Sequence, residues 1–439
     1  MTTALRTPLR VGYAAGGMAS GAFGTVPGLL LLPYLTDSLG ISSVVAGLIV
    51  FAPKAWDVVA NPITGRLSDR YSSRHGTRRP FLLWGGVGLA IGFALLFSGP
   101  HAPMGLAGGW VVVVFLICAT AYSVFQVPFV ALPAELTDDY AERTRLLTWR
   151  VAILAVAILV SGATAPVIRD AVGGAAGYRA MALFVAVLIL VGAVGAYVGT
   201  RSTRPTPVPA AEGSLATQLR LAWAVRDFRR LLITFVVQAL AIGAMLAGVD
   251  YLARVVLGRP GASAILFGCF VGPALLVTPL WQRLAGRTGK QRGYLISSAV
   301  LAVGAVGMVS TGHAPIMITY LLTAVVGIGY AGCQLFPLAM LPDTAGVDAR
   351  RTGANRVGVF TGIWTAGETF GLALGPAVFA GVLALGGYVS STGGTVIQPA
   401  SAVTAIVVGT SLLPAGLIML SLVALRGYTL TQEDVDGHP

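Results

Sequence analysis

Apolar residues recur along this chain in runs of about twenty, too continuous for the single apolar stripe of a soluble helix. The windows fall near 11–35, 43–66, 80–99, 109–132, 147–168, 178–199, 231–253, 262–282, 294–311, 316–341, 357–385 and 402–424. A helix rising about 1.5 Å per residue crosses a hydrocarbon core of about 30 Å in about twenty residues, so each window predicts one spanning helix. Twelve spans return both termini to the same side. The connecting segments are short except for 201–230 (RSTRPTPVPAAEGSLATQLRLAWAVRDFRR), which is Pro-rich first and amphipathic later. That pattern predicts a linker with a helix lying on the membrane surface. The expected organisation is a six-helix bundle over 1–200, the linker over 201–230, a second six-helix bundle over 231–425 and a tail over 426–439.

Composition agrees. Of 439 residues, 56% are hydrophobic and 10% charged, against about 25% charged in soluble domains. The protein is therefore expected to be an all-α, multi-pass protein of the plasma or inner membrane. The start of the chain (Arg6, Arg10, then a long apolar run) reads as a retained first span and not a signal peptide. The net charge of +12 is dealt out among short loops, which argues against a nucleic-acid partner. One set of loops holds Arg6, Arg10, Arg66, Arg70, Arg74, Arg78, Arg79, Arg143, Arg145, the arginines of 201–230, the 283–292 cluster, Arg350, Arg351, Arg356 and Arg426. The other holds only Arg169, Arg179, Arg254 and Arg259. By the positive-inside rule the basic loops and both termini are expected in the cytoplasm, against anionic headgroups.

Catalytic and metal chemistry find no foothold. Cys118, Cys269 and Cys333 are isolated in apolar runs, and the four histidines are scattered. Neither a metal site nor a disulfide framework is indicated. The G-x-G-x-x-G match in GIGYAG (327–332) lies inside an apolar span without a preceding strand, so it reads as helix packing. No enzyme, cofactor or metal is expected.

The two halves echo each other. QVPFVALPAEL (126–136) is matched by QLFPLAMLPDT (334–344), Tyr122 and Gln126 by Tyr330 and Gln334, and RLSDRYSSRHGTRR (66–79) more loosely by RLAGRTGKQR (283–292). Two parallel six-helix repeats are the build of the major facilitator fold, whose substrate site lies at the midplane between repeats.

Ionisable residues inside the spans carry the candidate chemistry, because a charge at mid-bilayer costs about 2.5–3.5 kcal/mol on insertion scales. In FAPKAWDVVANP (51–62), Lys54, Asp57 and Asn61 are spaced to share one helix face. A plain Lys54–Asp57 salt bridge is the competing reading. Glu368 is a second membrane-depth carboxylate; a wetted residue without coupling is its alternative. The matched pairs Tyr122/Gln126 and Tyr330/Gln334 read as cavity lining, or else as interhelical hydrogen bonds. Trp364 reads as a ring-stacking or a packing residue, and Asp250 as wetted near the end of span 7. In GRLSDRYSSRHGTRRP (65–80), Gly65 is expected to permit close helix approach. Asp69 is expected to cap the helix end or pair with arginines, Arg70, Arg74, Arg78 and Arg79 to anchor to anionic headgroups, and the loop as a whole to act as a conformational latch.

On these residues the chain resembles the glycoside–pentoside–hexuronide:cation symporters, typified by the melibiose permease. Asp57, Asn61-Pro62, Gly65, Asp69-Arg70, Arg74, Gly76 and Arg78-Arg79-Pro80 follow that signature, as do YSVFQVPFVALPAELT, Arg150, RLAGRTGKQRGY and AMLPDTAGVDARRTGANRVGVFTGIWTAGETFGLALG (339–375). The resemblance implies that Asp57 is the first helix-2 aspartate of a cation site, with Lys54 as its basic neighbour and Ser123 at a helix-4 hydroxyl. It implies substrate contact at Tyr122, Gln126 and Arg150. Asn61 stands for the second aspartate, Ala60 for a ligating asparagine, Gln126 for a sugar-binding aspartate, Val130 for the following tryptophan, Gly21 for another sugar-binding aspartate and Glu368 for a lysine.

The expected activity is secondary active transport of a small sugar- or glycoside-like solute by alternating access, cation-coupled with H⁺ favoured over Na⁺. The coupling group is Asp57, Glu368, Asn61, Lys54 and Ser123, with Glu368 the proton carrier and Asp57 paired to Lys54. The substrate group is Tyr122, Gln126, Arg150, Tyr330, Gln334 and Trp364. The cytoplasmic gate is Gly65, Asp69, Arg70, Arg74, Arg78, Arg79 and Asp343. A monomer is expected. Proton-coupled export of a lipophilic or natural-product molecule is the alternative, and a non-transporting sensor a remote one.

Overall fold

A computed structural model of the chain describes residues 7–75, 77–137, 140–201, 220, 223–352, 357–394 and 396–430. Its regular elements are all helices: α1 (Thr7–Pro33), α2 (Ser43–His75), α3 (Arg79–Leu96), α4 (Met104–Leu136), α5 (Tyr140–Val172), α6 (Gly174–Gly199), α7 (Arg226–Tyr251), α8 (Ala262–Thr288), α9 (Lys290–Gly307), α10 (Ile316–Thr352), α11 (Val357–Leu385), α12 (Ala400–Thr410) and α13 (Leu412–Leu425). Among the described residues 12 spans are long and apolar enough to cross a membrane, with α12 and α13 sharing the last. The helices outrun several apolar windows because a polar turn keeps its intrahelical hydrogen bonds beyond the hydrocarbon. Thus α2 continues through Asp69 and Arg74 to His75.

The break in the last span has a local cause. Pro414 cannot donate to the carbonyl of Thr410, and its ring crowds that carbonyl. The helix interrupts at Ser411 (φ −123°, ψ −78°). Two hydroxyls take up carbonyls there: Thr410 Oγ1 donates to Ile406 at 2.8 Å and Ser411 Oγ to Val407 at 2.5 Å. Side-chain substitution of this kind is what lets a helix break within a membrane.

The chain divides into two compact units. In the first, α1 packs on α5 and α6, α3 on α4 and α6, and α2 on α4. In the second, α7 packs on α11 and α13, α9 on α10 and α13, and α8 on α10. The pairings correspond element by element, as a repeat requires. Even the ends of the first helices match: each closes in a wide five-residue turn, Tyr34–Ser38 and Leu252–Val256.

The first helix of the second unit starts at Arg226, and the surface helix expected within 201–230 lies mostly outside the described residues. Val389–Ile397, placed by sequence in the second bundle, belongs to the first unit. The stretch finds backbone partners at the end of the first span: Ser391 N–H donates to Thr36 O (2.9 Å) and Gly393 N–H to Asp37 O (2.8 Å).

Within a membrane, association rests on close packing rather than on water exclusion, so small residues sit where helix backbones touch. The GIGYAG stretch behaves this way. A Cβ on Gly327 would collide with the Phe270 carbonyl, and one on Gly329 with the Leu301 backbone. On α11, a Cβ at Gly371 would lie 2.6 Å from Val236 O of α7. Gly371→Ala should therefore cost about 1–3 kcal/mol. The check is the unfolding temperature in detergent: it should fall for Gly371→Ala and hold or rise slightly for Gly268→Ala, where a Cβ meets nothing within 4 Å.

Candidate functional site

In the first unit, one polar face is assembled by α1, α2, α4 and α5. The one-face spacing on α2 brings Lys54, Asp57 and Asn61 to it. Lys54 sends its ammonium over two rings, 4.9 Å from the centre of Phe23 and 5.9 Å from that of Tyr122, and those rings meet at a tilt with centres 4.8 Å apart. A lysine held this way is stabilised by the ring quadrupoles, by about 0.5–2 kcal/mol. Lys54 and Asp57 interact Coulombically, yet Asp57 is 3% exposed and its Oδ1 has no hydrogen-bond partner. The expected Lys54–Asp57 pairing is thus loose, because aromatic rings share the ammonium.

Asn61 accepts a hydrogen bond from Ser123 Oγ (2.7 Å). Gln126, one turn along α4, accepts one from Ser20 Oγ (2.5 Å). Arg150 of α5 lies over Phe129 at 5.0 Å and beside the Tyr13 hydroxyl. Ser20 and Phe23 had not been singled out in the sequence. The signal was available: Ser20 is the one hydroxyl between Tyr13 and Thr25 in an otherwise apolar run. Gly21, where the family resemblance implies an aspartate, instead packs on α5. A Cβ there would meet Leu154 O and Ala157 Cβ, each at 2.9 Å.

In the second unit, α10 and α11 bring Tyr330, Gln334 and Glu368 together. Gln334 Nε2 donates to the Tyr330 hydroxyl at 2.8 Å. The half-buried Glu368 carboxylate has Gln334 as its hydrogen-bonding neighbour and interacts Coulombically with Tyr330. Phe270 packs at a tilt against Tyr330, ring centres 4.9 Å apart. Trp364 is in packing: it is 2% exposed and stacked on Phe235 at 4.2 Å, with no open face for a ligand ring. Asp250 is 1% exposed, accepts from Ser263 Oγ (2.9 Å) and lies 3.6 Å from Arg254. The expectation that water reaches it is corrected, because α8 covers it.

Each unit has an ion pair at its basic loop after the second spanning helix. Arg78 meets Asp69 at 2.7 Å, and Lys290 meets Asp343 at 2.5 Å while donating to Ala339 O. Arg79 donates to Arg201 O (2.9 Å), joining the start of α3 to the end of α6. Arg70 and Arg74 are exposed, Arg74 in the last turn of α2 where the helix dipole favours a cation. Gly65 does not mark a close approach. A Cβ there would meet only Val127 Cγ1, at 3.8 Å, so helix separation at that level already has room for a methyl group. No group of metal-ligating side chains occurs among the described residues.

Two matched six-helix units with ionisable groups at membrane depth define a class: a multi-pass transporter of the cell membrane, not an enzyme. The sequence profile of the family described as MFS/sugar transport protein matches residues 12–432, and the chain belongs to that family. It is similar to the putative glycoside/cation symporter YagG of Escherichia coli, 26% identical with 98% of this chain and 93% of that protein covered. It is also similar to the glucuronide carrier protein homolog of Escherichia coli, 26% identical with coverage of 96% and 92%. It shares the fold of a D-xylose-proton symporter, with a TM-score of 0.69, 14% identity and coverage of 97% and 98%.

The unpartnered Asp57 Oδ1 yields a stability prediction. A buried oxygen without a partner costs about 1–3 kcal/mol, so Asp57→Asn should raise the unfolding temperature in detergent. A fall would mean that Asp57 forms a stabilising pair.

Proposed function

We propose that this protein is a cation-coupled secondary transporter of a small sugar- or glycoside-like solute, working by alternating access with H⁺ as the coupling ion. Transport and the superfamily follow from the family itself. The solute class is supported by the glycoside/cation symporter and the glucuronide carrier homolog, which align along nearly the whole chain.

The observation that carries proton coupling is Glu368. It sits within a membrane-spanning helix with an amide and a phenol as its neighbours. Such a carboxyl is tolerated in a low-dielectric site when it takes up a proton, and gives that proton back when water reaches it. Sodium suits this chain less well. A Na⁺ site needs several hard oxygens converging on one ion, and the Asn61 and Ser123 oxygens are engaged with each other. The resemblance further supplies Asn61 and Ala60 where a carboxylate and an amide ligand are implied. In this reading the Asp69–Arg78 and Lys290–Asp343 pairs belong to the cytoplasmic ends of the spans and form or break as the transporter changes state. Arg70 and Arg74 hold those ends to anionic headgroups.

The test uses proteoliposomes and a labelled glycoside chosen by its thermal stabilisation of the purified protein. A pH gradient should drive its accumulation and a Na⁺ gradient should not. Glu368→Gln should abolish the pH-driven accumulation and spare exchange of solute across the membrane. Unaltered accumulation in that variant would overturn proton coupling through Glu368. Flux that expels the solute against the imposed gradient would turn the reading to export.

A further inference from the structure

An apolar cavity of about 40 Å³ lies inside the second unit, among α7, α8, α10 and the broken last span. One water needs roughly 10–15 Å³ on the same measure, together with about two to four polar partners. The room is there and the partners are not. The hydroxyls in its wall belong to Thr323 and Thr410, and both turn to their own helix: Thr323 Oγ1 donates to Thr319 O and Thr410 Oγ1 to Ile406 O, each at 2.8 Å. Water gains little by entering such a space, whereas an apolar guest gains contacts.

Three departures from regular α geometry meet at the wall of this cavity. Leu252 opens the wide turn Leu252–Val256 after α7, Met308 opens the 3₁₀ turn Met308–Ser310 after α9, and Thr410 ends α12 at the break. Turns of the first two kinds recur at functional sites. The lining also has a chemical bias, because Phe267 and Phe270 of α8 share the wall with Met245 of α7 and with Met308. Aromatic side chains and thioether sulfurs both make favourable contacts with an aromatic ring. A charged guest is excluded, since nothing in the wall would pair with it. Phe270 has a second contact: its ring packs at a tilt against Tyr330 (4.9 Å), the phenol that accepts from Gln334 beside Glu368.

We propose that this cavity is a binding site for an uncharged aromatic ring, held among Phe267, Phe270, Met245 and Met308. Filling it fixes the Phe270 ring and, through that ring, the Tyr330 phenol next to Glu368. Two sources present this chemistry: the aglycone of an aryl glycoside, or a free lipophilic molecule drawn from the bilayer. The site itself does not depend on the glycoside reading.

Toluene is the probe, with benzoate as the same ring carrying a charge, and the readout is the unfolding temperature of the full-length protein in detergent. Toluene should raise it by about 2 °C or more, and benzoate should leave it unchanged. Ile242 lines the cavity, so Ile242→Phe puts a ring of the protein's own into the space and should remove the toluene shift. Leu266→Ala enlarges the same space; it should unfold at a lower temperature and gain more from toluene than the wild type does. No toluene shift in the wild type, or an equal shift in Ile242→Phe as partitioning into the micelle would give, overturns the inference. If Ile242→Phe fails to fold, Leu266→Ala decides, and a shift no larger than that of the wild type overturns it. Isothermal titration calorimetry with phenyl and methyl β-D-glucoside then identifies the source of the ring. A ring belonging to the solute gives the phenyl glucoside at least about tenfold tighter binding, lost in Ile242→Phe and competed by toluene. A separate lipophilic molecule gives equal affinities for the two glucosides and no competition. Binding of neither glucoside counts against the glycoside reading alone, because the toluene result stands without it.

Discussion

A polar group in hydrocarbon has no water to turn to, and the cost of leaving it unpaired, several kcal/mol, exceeds what most single contacts return. That constraint accounts for the helices, since only a helix pairs its backbone within one spanning segment. It accounts for the break before Pro414, where Thr410 and Ser411 hydroxyls take up carbonyls. It also accounts for the interior of the second unit, where Gln238 donates to Ser298 and Ser421 and accepts from Tyr294, so that α7, α9 and α13 share one satisfied network. Small residues complete the scheme: Gly371 and Gly329 let backbones touch where no hydrophobic force drives the helices together.

Against that background the polar residues that are not fully satisfied stand out. Asp57 keeps a buried, unpartnered oxygen while its neighbouring lysine spreads its charge over Phe23 and Tyr122. Natural proteins retain such local losses chiefly at functional sites, where stability is given up for activity. Glu368 is handled differently, with an amide and a phenol for neighbours. One carboxylate therefore lies beside a cation and the other beside neutral groups, so the two units surround their membrane-depth acids differently.

The repeat sharpens this contrast. Tyr122/Gln126 and Tyr330/Gln334 occupy equivalent positions, yet the two glutamines do opposite work: Gln126 accepts from Ser20, while Gln334 donates to Tyr330. The repeat preserves the residue types at these positions. It does not preserve which atom of an amide is used, because Ser20 of α1 reaches Gln126 while Gln334 turns to Tyr330 on its own helix.

The twelve spans, the two-unit repeat and the membrane class were legible in the sequence because each follows from a one-dimensional property: the length of apolar runs, the recurrence of motifs, the scarcity of charge. So was the gathering of Lys54, Asp57 and Asn61 on one helix face, since helical spacing alone brings them there. What sequence could not assign was every contact made across helices. Gly21 turns to the α5 backbone and its neighbour Ser20 reaches Gln126; Trp364 is consumed by Phe235; Asp250 is covered; Gly65 has room to spare; Val389–Ile397 joins the first unit. A residue's periodicity says which face it shares, but a shift of one position is a rotation of about 100°. Only the packing of neighbouring helices decides what that rotation meets.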